Sequence, residues 1–424
     1  MPTALLSIAV LVTVVALATV RPINMGVLGL VAAFVVGGII GGESPEQVLK
    51  SFPANLFVIL VGVTYLFAIA KNNGTVQWIV DGAFRLAGGR VSTIPWMFFL
   101  LAAVLCGIGA LPPAVGAILV PMAMGFVAEY NVRPVLISIL IGLGSTAGSF
   151  APTGLLGLVV HRVQEDNGLA SEPLVLFAGT FVISTVIAVA TFMLLNRRQK
   201  LLAVPREMTR AKDSPGAATA PPVTAKPTLQ QSVTLLGFVV LIAGALVFDF
   251  DIGFVALTVA AVLALAYPEA SRTAAKEVSW DIVLLMAGIL TYVGVLQRNG
   301  TIDWLGETVA SVDSPLIAAL LICLIGAVVS AFASTTGILG AVIPLTVPLV
   351  GTGAIGAIGF VTALAISSSL VDVSPFSTGG AIAMANAPKA ERRDVYRGLL
   401  RFAGLMTIAG PLVSWAVLVA PGWL

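Results

Sequence analysis

Mainly apolar runs follow one another along almost the whole chain, at 3–20, 24–42, 54–70, 94–128, 134–160, 173–195, 232–248, 252–267, 282–296, 315–350, 356–388 and 402–420. About 20 such residues in helical form cross the roughly 30 Å hydrocarbon core of a bilayer. Only 10% of the 424 residues are charged, against about 25% in a soluble domain, so the chain cannot cover a water-facing surface. It is read as an all-α polytopic membrane protein. No basic residue precedes Arg21, so the run at 3–20 lacks the charged start of a signal peptide and is expected to stay as a helix. Cys106 and Cys323 both fall inside apolar runs, where a thiol acts as a small hydrophobe. They suggest neither a disulfide nor a metal site.

One long polar stretch interrupts the pattern. Residues 196–231, rich in Pro, Ala, Thr and basic side chains, read as a linker between a first half, 1–195, and a second, 232–424. The halves look alike. KNNGTVQWI at 71–79 reappears as QRNGTIDWL at 297–305, with Asn73 and Asn299 lying 226 residues apart. Gly62 then meets Gly288, and MGVLGLVAAFVV at 25–36 lies over IGFVALTVAAVL at 252–263. With small shifts, Pro121 falls on Pro344 and STAGSFAPTG at 145–154 on LVDVSPFSTG at 370–379. A near-constant offset through separate landmarks marks a duplicated half rather than a solenoid period.

The runs at 94–128 and 315–350 are too long for one crossing and are broken by GALPPAVG and FASTTG. Each is read as a re-entrant hairpin. Five crossings remain per half, and an odd number turns the second half upside down relative to the first. Charge agrees: the linker carries Arg197, Arg198, Lys200, Arg206, Arg210, Lys212 and Lys226 and is expected on the cytoplasmic face. Counting outwards then sets both termini outside an inner (cell) membrane, with Glu43 outside and Lys71 inside; Lys50 and Arg298 break the rule. Gly74 and Gly300 are expected to end the third helix of each half in a left-handed turn. Thr75 and Thr301 are candidate caps of the amphipathic helix that follows. The Asn-Gly-Thr sequons are read as accidental.

Irregular backbone at membrane depth survives only when buried in protein or lining a cavity. The chain offers four such places: the hairpin tips Leu111-Pro112-Pro113 and Ser334-Thr335-Thr336, and the broken helices at 142–154 and 367–380. Each precedes a helix start, whose free N–H groups suit an anion. Ser145, Thr146, Thr153, Ser334, Thr335, Thr336, Ser377 and Thr378 are the candidate substrate contacts. Asp372, Ser149 and Ser374 are the candidate cation or proton groups, with a sodium ion considered near Ser334, Thr336 and Asp372. The plainer account is that small residues simply let helices pack closely and that Asp372 caps the segment after Ser374-Pro375. No Lys or Arg sits within a span, so a buried dianion would need co-bound cations or protons. His161 has no second histidine and no hydrolase or zinc motif around it. No enzyme activity and no organic cofactor are expected.

Two inverted five-helix halves, each with a hairpin and a discontinuous helix, resemble the divalent anion–sodium symporter and ion-transporter superfamily. LFVILVGVTYLFAIAKNNGTVQWI and GALPPAVGAILVPMA are similar to the N-terminal domain of the MatC-type dicarboxylate (malonate) carriers. In the symporter family each tip carries Ser-Asn-Thr, which contacts carboxylate and helps form a sodium site. Ser334 and Thr336 fit that pattern, Thr335 replaces its Asn, and Leu111-Pro112-Pro113 departs from it. The resemblance implies a symporter of a small dicarboxylate such as malonate or succinate, coupled to sodium or protons. It also implies an elevator-type motion and a homodimer. The partners expected are that substrate and the lipid bilayer, with no nucleic acid. The alternatives are a carrier of another anion (a monocarboxylate, sulfate or arsenite) and a membrane protein that transports nothing.

Overall fold

The computed structural model describes residues 2–21, 23–86, 93–130, 132–201, 226–248, 250–302, 304, 314–331, 335–351 and 353–422. These residues form helices and no strand. In the first half they are α1 (Pro2–Val20), α2 (Met25–Ala33), α3 (Pro45–Leu49), α4 (Ala54–Asn72), α5 (Thr75–Leu86), α6 (Ile94–Gly107), α7 (Pro112–Tyr130), α8 (Pro134–Ser149), α9 (Leu155–Asp166) and α10 (Pro173–Leu201). The second half holds α11 (Leu229–Leu246), α12 (Ile252–Ala266), α13 (Pro268–Ser271), α14 (Trp280–Arg298), α15 (Pro315–Ser330), α16 (Thr335–Leu345), α17 (Val347–Gly351), α18 (Ala357–Ser369), α19 (Thr378–Asn386) and α20 (Arg392–Leu418). α2 runs on as a π-helical stretch, Phe34–Ile40. α10 continues past the boundary placed at 195, so the linker begins as helix; residues 202–225 lie outside the described residues.

The first long run breaks at its Gly-Ala-Leu-Pro-Pro stretch. α6 and α7 flank the first tip, and α15 and α16 flank the second. α6 has 14 residues, about 21 Å at 1.5 Å per residue, short of a full crossing. Among the described residues, five helical segments are long and apolar enough to cross a membrane: Ala54–Asn72, Pro173–Leu195, Trp280–Arg298, Ala357–Asn386 and Arg392–Leu418.

The halves exchange partners. α2 packs along α14 and α12 along α4, both through glycine. A Cβ on Gly26 would overlap the backbone of Leu284, and one on Gly288 the backbone of Gly26. A Cβ on Gly62 would lie 2.7 Å from the carbonyl of Gly253, and one on Gly253 2.8 Å from the Ile59 nitrogen. Without a side chain at these crossings, backbones approach closely and dispersion contacts replace the hydrophobic effect that lipid does not supply. Asn24 at the start of α2 donates to the Asp281 carbonyl at the start of α14 (2.7 Å), and Glu43 after α2 pairs with Arg298 at the end of α14. These two helices therefore run parallel. Likewise Gly253 meets Ile59 near the starts of α12 and α4, and Asn72 donates to Ala270 beyond their ends (3.2 Å). Ser51, just before α4, bonds Arg298, so α4 starts at the face where α14 ends. α2 and α12 thus run in opposite senses, as do α4 and α14.

The Asn-Gly-Thr motif has the geometry expected at glycine, with φ +78° at Gly74 and +75° at Gly300. The caps differ from expectation. The side chain of Asn73 accepts from the Thr75 N–H (3.0 Å) and hydroxyl (2.6 Å), and Asn299 does the same for Thr301 (3.1 and 2.6 Å). Asparagine caps, because its carbonyl oxygen reaches two residues ahead while the threonine hydroxyl is consumed as a donor. Each asparagine amide then crosses to the other half: Asn73 to Thr234 on α11 (2.7 Å), Asn299 to Ser7 on α1 (3.0 Å).

Arg298, an exception by charge count, is held by Glu43 through two bonds of 2.9 Å. In the last turn of α4, Lys71 pairs with Glu277 at 2.9 Å.

Candidate functional site

The second arm of each hairpin packs against the other half's broken helix: α7 on α19, and α16 on α9. Both tips, the second break and the starts of α2 and α14 then enclose one cavity of about 410 Å³. Leu111, Pro112 and Pro113 line it from one side, Thr335 and Thr336 from the other. Asp372, Ser377 and Thr378 line it from the break, and Ser145 and Thr146 from α8. Asn24 and Asp281 mark the end towards the face where α2 and α14 start, which is also the linker face.

The break between α18 and α19 is a 3₁₀ turn, Leu370–Val373, followed by Ser374-Pro375. Its carboxylate is anchored by the opposite tip: Thr335 donates its hydroxyl to Asp372 Oδ1 at 2.5 Å. That hydroxyl oxygen also meets the Ser330 hydroxyl at 2.7 Å. Asp372 is not the cap of α19. Ser377 is, accepting from the Gly380 N–H at 3.3 Å while donating to the Asp372 and Ser374 carbonyls. The capping role therefore passes to serine, and the Asp372 side chain is left facing the cavity. Gly380 is required there, since a Cβ would overlap the Ser374 carbonyl.

The two tips offer different chemistry. α16 and α19 start beside the cavity with polar residues, and the first N–H groups of a helix have no intrahelical acceptor. α7 starts with Pro112 and Pro113, which have no N–H to give. The first tip is an apolar wall rather than a second anion cradle. Ser334 lies outside the described residues.

Other candidates are spent on backbone carbonyls. Ser149 donates to Ser145 (2.6 Å), Thr153 to Gly107 (2.6 Å) and Ser374 to Ala331 (3.1 Å); none of the three lines the cavity. In α8 the Gly/Ser-rich run presents two faces. Gly144 and Gly148 sit against the backbone of Phe99 and Ala103 on α6, so they serve packing. Ser145 and Thr146 look into the cavity, and the Thr146 hydroxyl reaches the Ser369 carbonyl at 3.5 Å. His161 is tied to Ser171 (2.8 Å) and Glu165 (3.4 Å). Cys106 and Cys323 are buried free thiols.

Sequence reading missed Ser138, Asn24 and Asp281, which also line the cavity. A signal existed for the first: Ser138, Ile141, Gly142 and Ser145 recur at helical spacing on one face of α8. Among the described lining residues the ionisable side chains are Asp281 and Asp372, and none is basic. A second cavity of about 380 Å³ lies on the opposite face, where Lys50, Arg162 and Asp166 meet α14.

Residues 1–149 match the family model described as the N-terminus of the dicarboxylate carrier protein MatC, the stretch on which the resemblance was read. No curated protein matches significantly. Among solved structures, the fold is similar to that of Neisseria gonorrhoeae MtrF, reported as illuminating a class of antimetabolite efflux pumps. That match has a TM-score of 0.66 and 11% identity, over 98% of this chain and 95% of the other. It is also similar to the YdaH transporter of Alcanivorax borkumensis, reported to have an unusual topology, at a TM-score of 0.62 and 14% identity over 89% and 88%. At such identities the likeness is one of fold. That fold is shared with polytopic membrane transporters.

Proposed function

We propose that the chain is a secondary carrier of a small dicarboxylate, such as malonate or succinate, driven by sodium or protons. The observation that carries this reading is the single cavity in which both hairpin tips and the second break converge. One substrate carboxylate lies against the starts of α16 and α19, within reach of Thr335, Thr336 and Thr378. Those N–H groups and hydroxyls suit carboxylate oxygens. The lining is acidic, so a dianion enters only with cations or protons that offset Asp372 and the substrate's own charge. That requirement is a physical reason for coupling. The match of the first 149 residues to a dicarboxylate carrier family supports the substrate class.

In this reading the hairpins and broken helices move as one body against α2, α4, α12 and α14, and the carrier is a homodimer with its linker in the cytoplasm. The cavity on the opposite face is then the closed end of the path. Uptake into proteoliposomes tests the proposal, using malonate, succinate, a monocarboxylate and sulfate, each with and without sodium and with and without a pH gradient. Dicarboxylate uptake that rises with one of the gradients is expected. No uptake of any anion under any gradient overturns it.

A further inference from the structure

Ser138 is 5% exposed and its hydroxyl has no hydrogen-bond partner. Serines inside helices ordinarily donate to the carbonyl four residues back. Ser149, Ser367 and Ser369 do so here at 2.6 Å. Ser138, Ser184 and Ser368 do not, and of these three Ser138 lines the cavity, although α8 is continuous through it and Pro134 stands four residues before. Leaving a buried hydroxyl unpaired costs stability. The side chain lines the cavity, on the stripe that includes Ile141, Gly142 and Ser145.

Seven residues of helix separate Ser138 from Ser145, about 10 Å. Ser145 and Thr146 are level with the second break, since Thr146 reaches the carbonyl of Ser369 beside it. The carboxylate position proposed above lies at that level. A malonate or succinate held there is too short to touch Ser138. Ten ångströms of extended chain is about eight bonds. Of the two ionisable lining groups, Asp372 lies at the break and Asp281 at the linker-face end beside Asn24, so that end is unsuited to a second carboxylate and suited to a hydrogen-bond donor.

We propose that Ser138 forms a second polar subsite, so that the cavity also accepts linear acids longer than the short dicarboxylates, with an amine or amide N–H at the far end. The inference rests on the carrier reading for the position of the carboxylate.

Binding to the purified full-length chain is the test, measured calorimetrically with malonate, 8-aminooctanoate and octanoate. The wild-type protein is expected to bind 8-aminooctanoate more tightly than octanoate. Ser138→Ala should weaken 8-aminooctanoate about three- to tenfold more than malonate, the effect of one hydrogen bond. Its melting temperature should not fall, because the substitution removes an unpaired buried group. Equal loss for both ligands, or none for either, overturns the subsite. If the variant folds poorly, the wild-type comparison decides: 8-aminooctanoate no tighter than octanoate refutes it. A wild-type protein that binds malonate but neither long acid refutes the subsite and leaves the carrier reading intact. Binding of none of the three overturns both.

Discussion

Replacing Thr335 by valine removes one hydroxyl and keeps the shape of the side chain. That hydroxyl donates to Asp372 Oδ1 at 2.5 Å and meets the Ser330 hydroxyl at 2.7 Å. The first bond involves a carboxylate and links a hairpin tip to the break across from it. A hydrogen bond to a charged group is worth about 1.5–3 kcal/mol net, so a site that depends on this geometry loses roughly 10- to 150-fold in affinity. The lower figure is the better expectation, because water in the cavity can replace the lost donor. Thr335→Val is therefore expected to raise the half-saturating concentration of substrate, or of the driving cation, about tenfold or more. Thr335→Ser keeps the hydroxyl and is expected to behave like the wild type. The assay is initial-rate uptake into proteoliposomes at varied substrate and varied sodium or proton gradient, with melting temperature as the folding control. A well-folded valine variant with wild-type half-saturation for both would refute the idea that the Thr335–Asp372 contact belongs to the site.

Asp372→Asn should abolish uptake driven by the ion gradient while exchange between preloaded and external substrate survives; ion-driven uptake at the wild-type rate would remove Asp372 from the coupling step. The Glu43 carboxyl is held below its ordinary value of 4.5, first by hydrogen bonds from Arg298. Its contribution to stability is thus complete above about pH 4.5 and is lost as pH falls through the lowered pKa. Glu43→Gln should flatten that acid limb of the melting curve, at a cost of about 1 kcal/mol for a partly exposed pair; an unchanged limb would show that the pair adds nothing. Gly288→Leu forces a side chain into the Gly26 backbone, and overpacking of about 1–3 kcal/mol or more should appear as lost expression or a lower melting temperature. Single cysteines at Glu43 and in the linker should label from opposite faces, and labelling from the same face would break the inverted arrangement.

How much of this was legible depended on whether a feature acts locally. Gly74 and Gly300 need positive φ, and that need shows in the dipeptide itself. The tips at Leu111-Pro112-Pro113 and Thr335-Thr336 showed as polar or proline breaks in apolar runs. What a hydroxyl bonds to is another matter. Ser145 and Ser149 differ by one turn of the same helix, yet one lines the cavity and the other is tied to the Ser145 carbonyl. The role of Asp372 turned on Ser377, which took over the cap because its oxygen sits one residue before the helix. Glu43 and Arg298 lie in different halves, so their pairing was invisible to a count of charges loop by loop. Ser138 was passed over because it stands apart from the Gly/Ser-rich run in an apolar turn of α8, where a serine looks like packing until its missing partner is seen.

The exchange of partners between halves bears on how the chain is made. Gly26 reaches its place beside Gly288 only after α14 has been synthesised. Until then the glycine face of α2 has no backbone to meet, and α4 awaits α12 in the same way. Asn299, just past α14, reaches back to Ser7 in the first helix. Neither half is thus a folding unit. A first half expressed alone should be retained by quality control and degraded, whereas two separately encoded halves should rescue each other when made together. A cut in the linker after assembly would be harmless, since the glycine crossings and not the connecting chain hold the halves together.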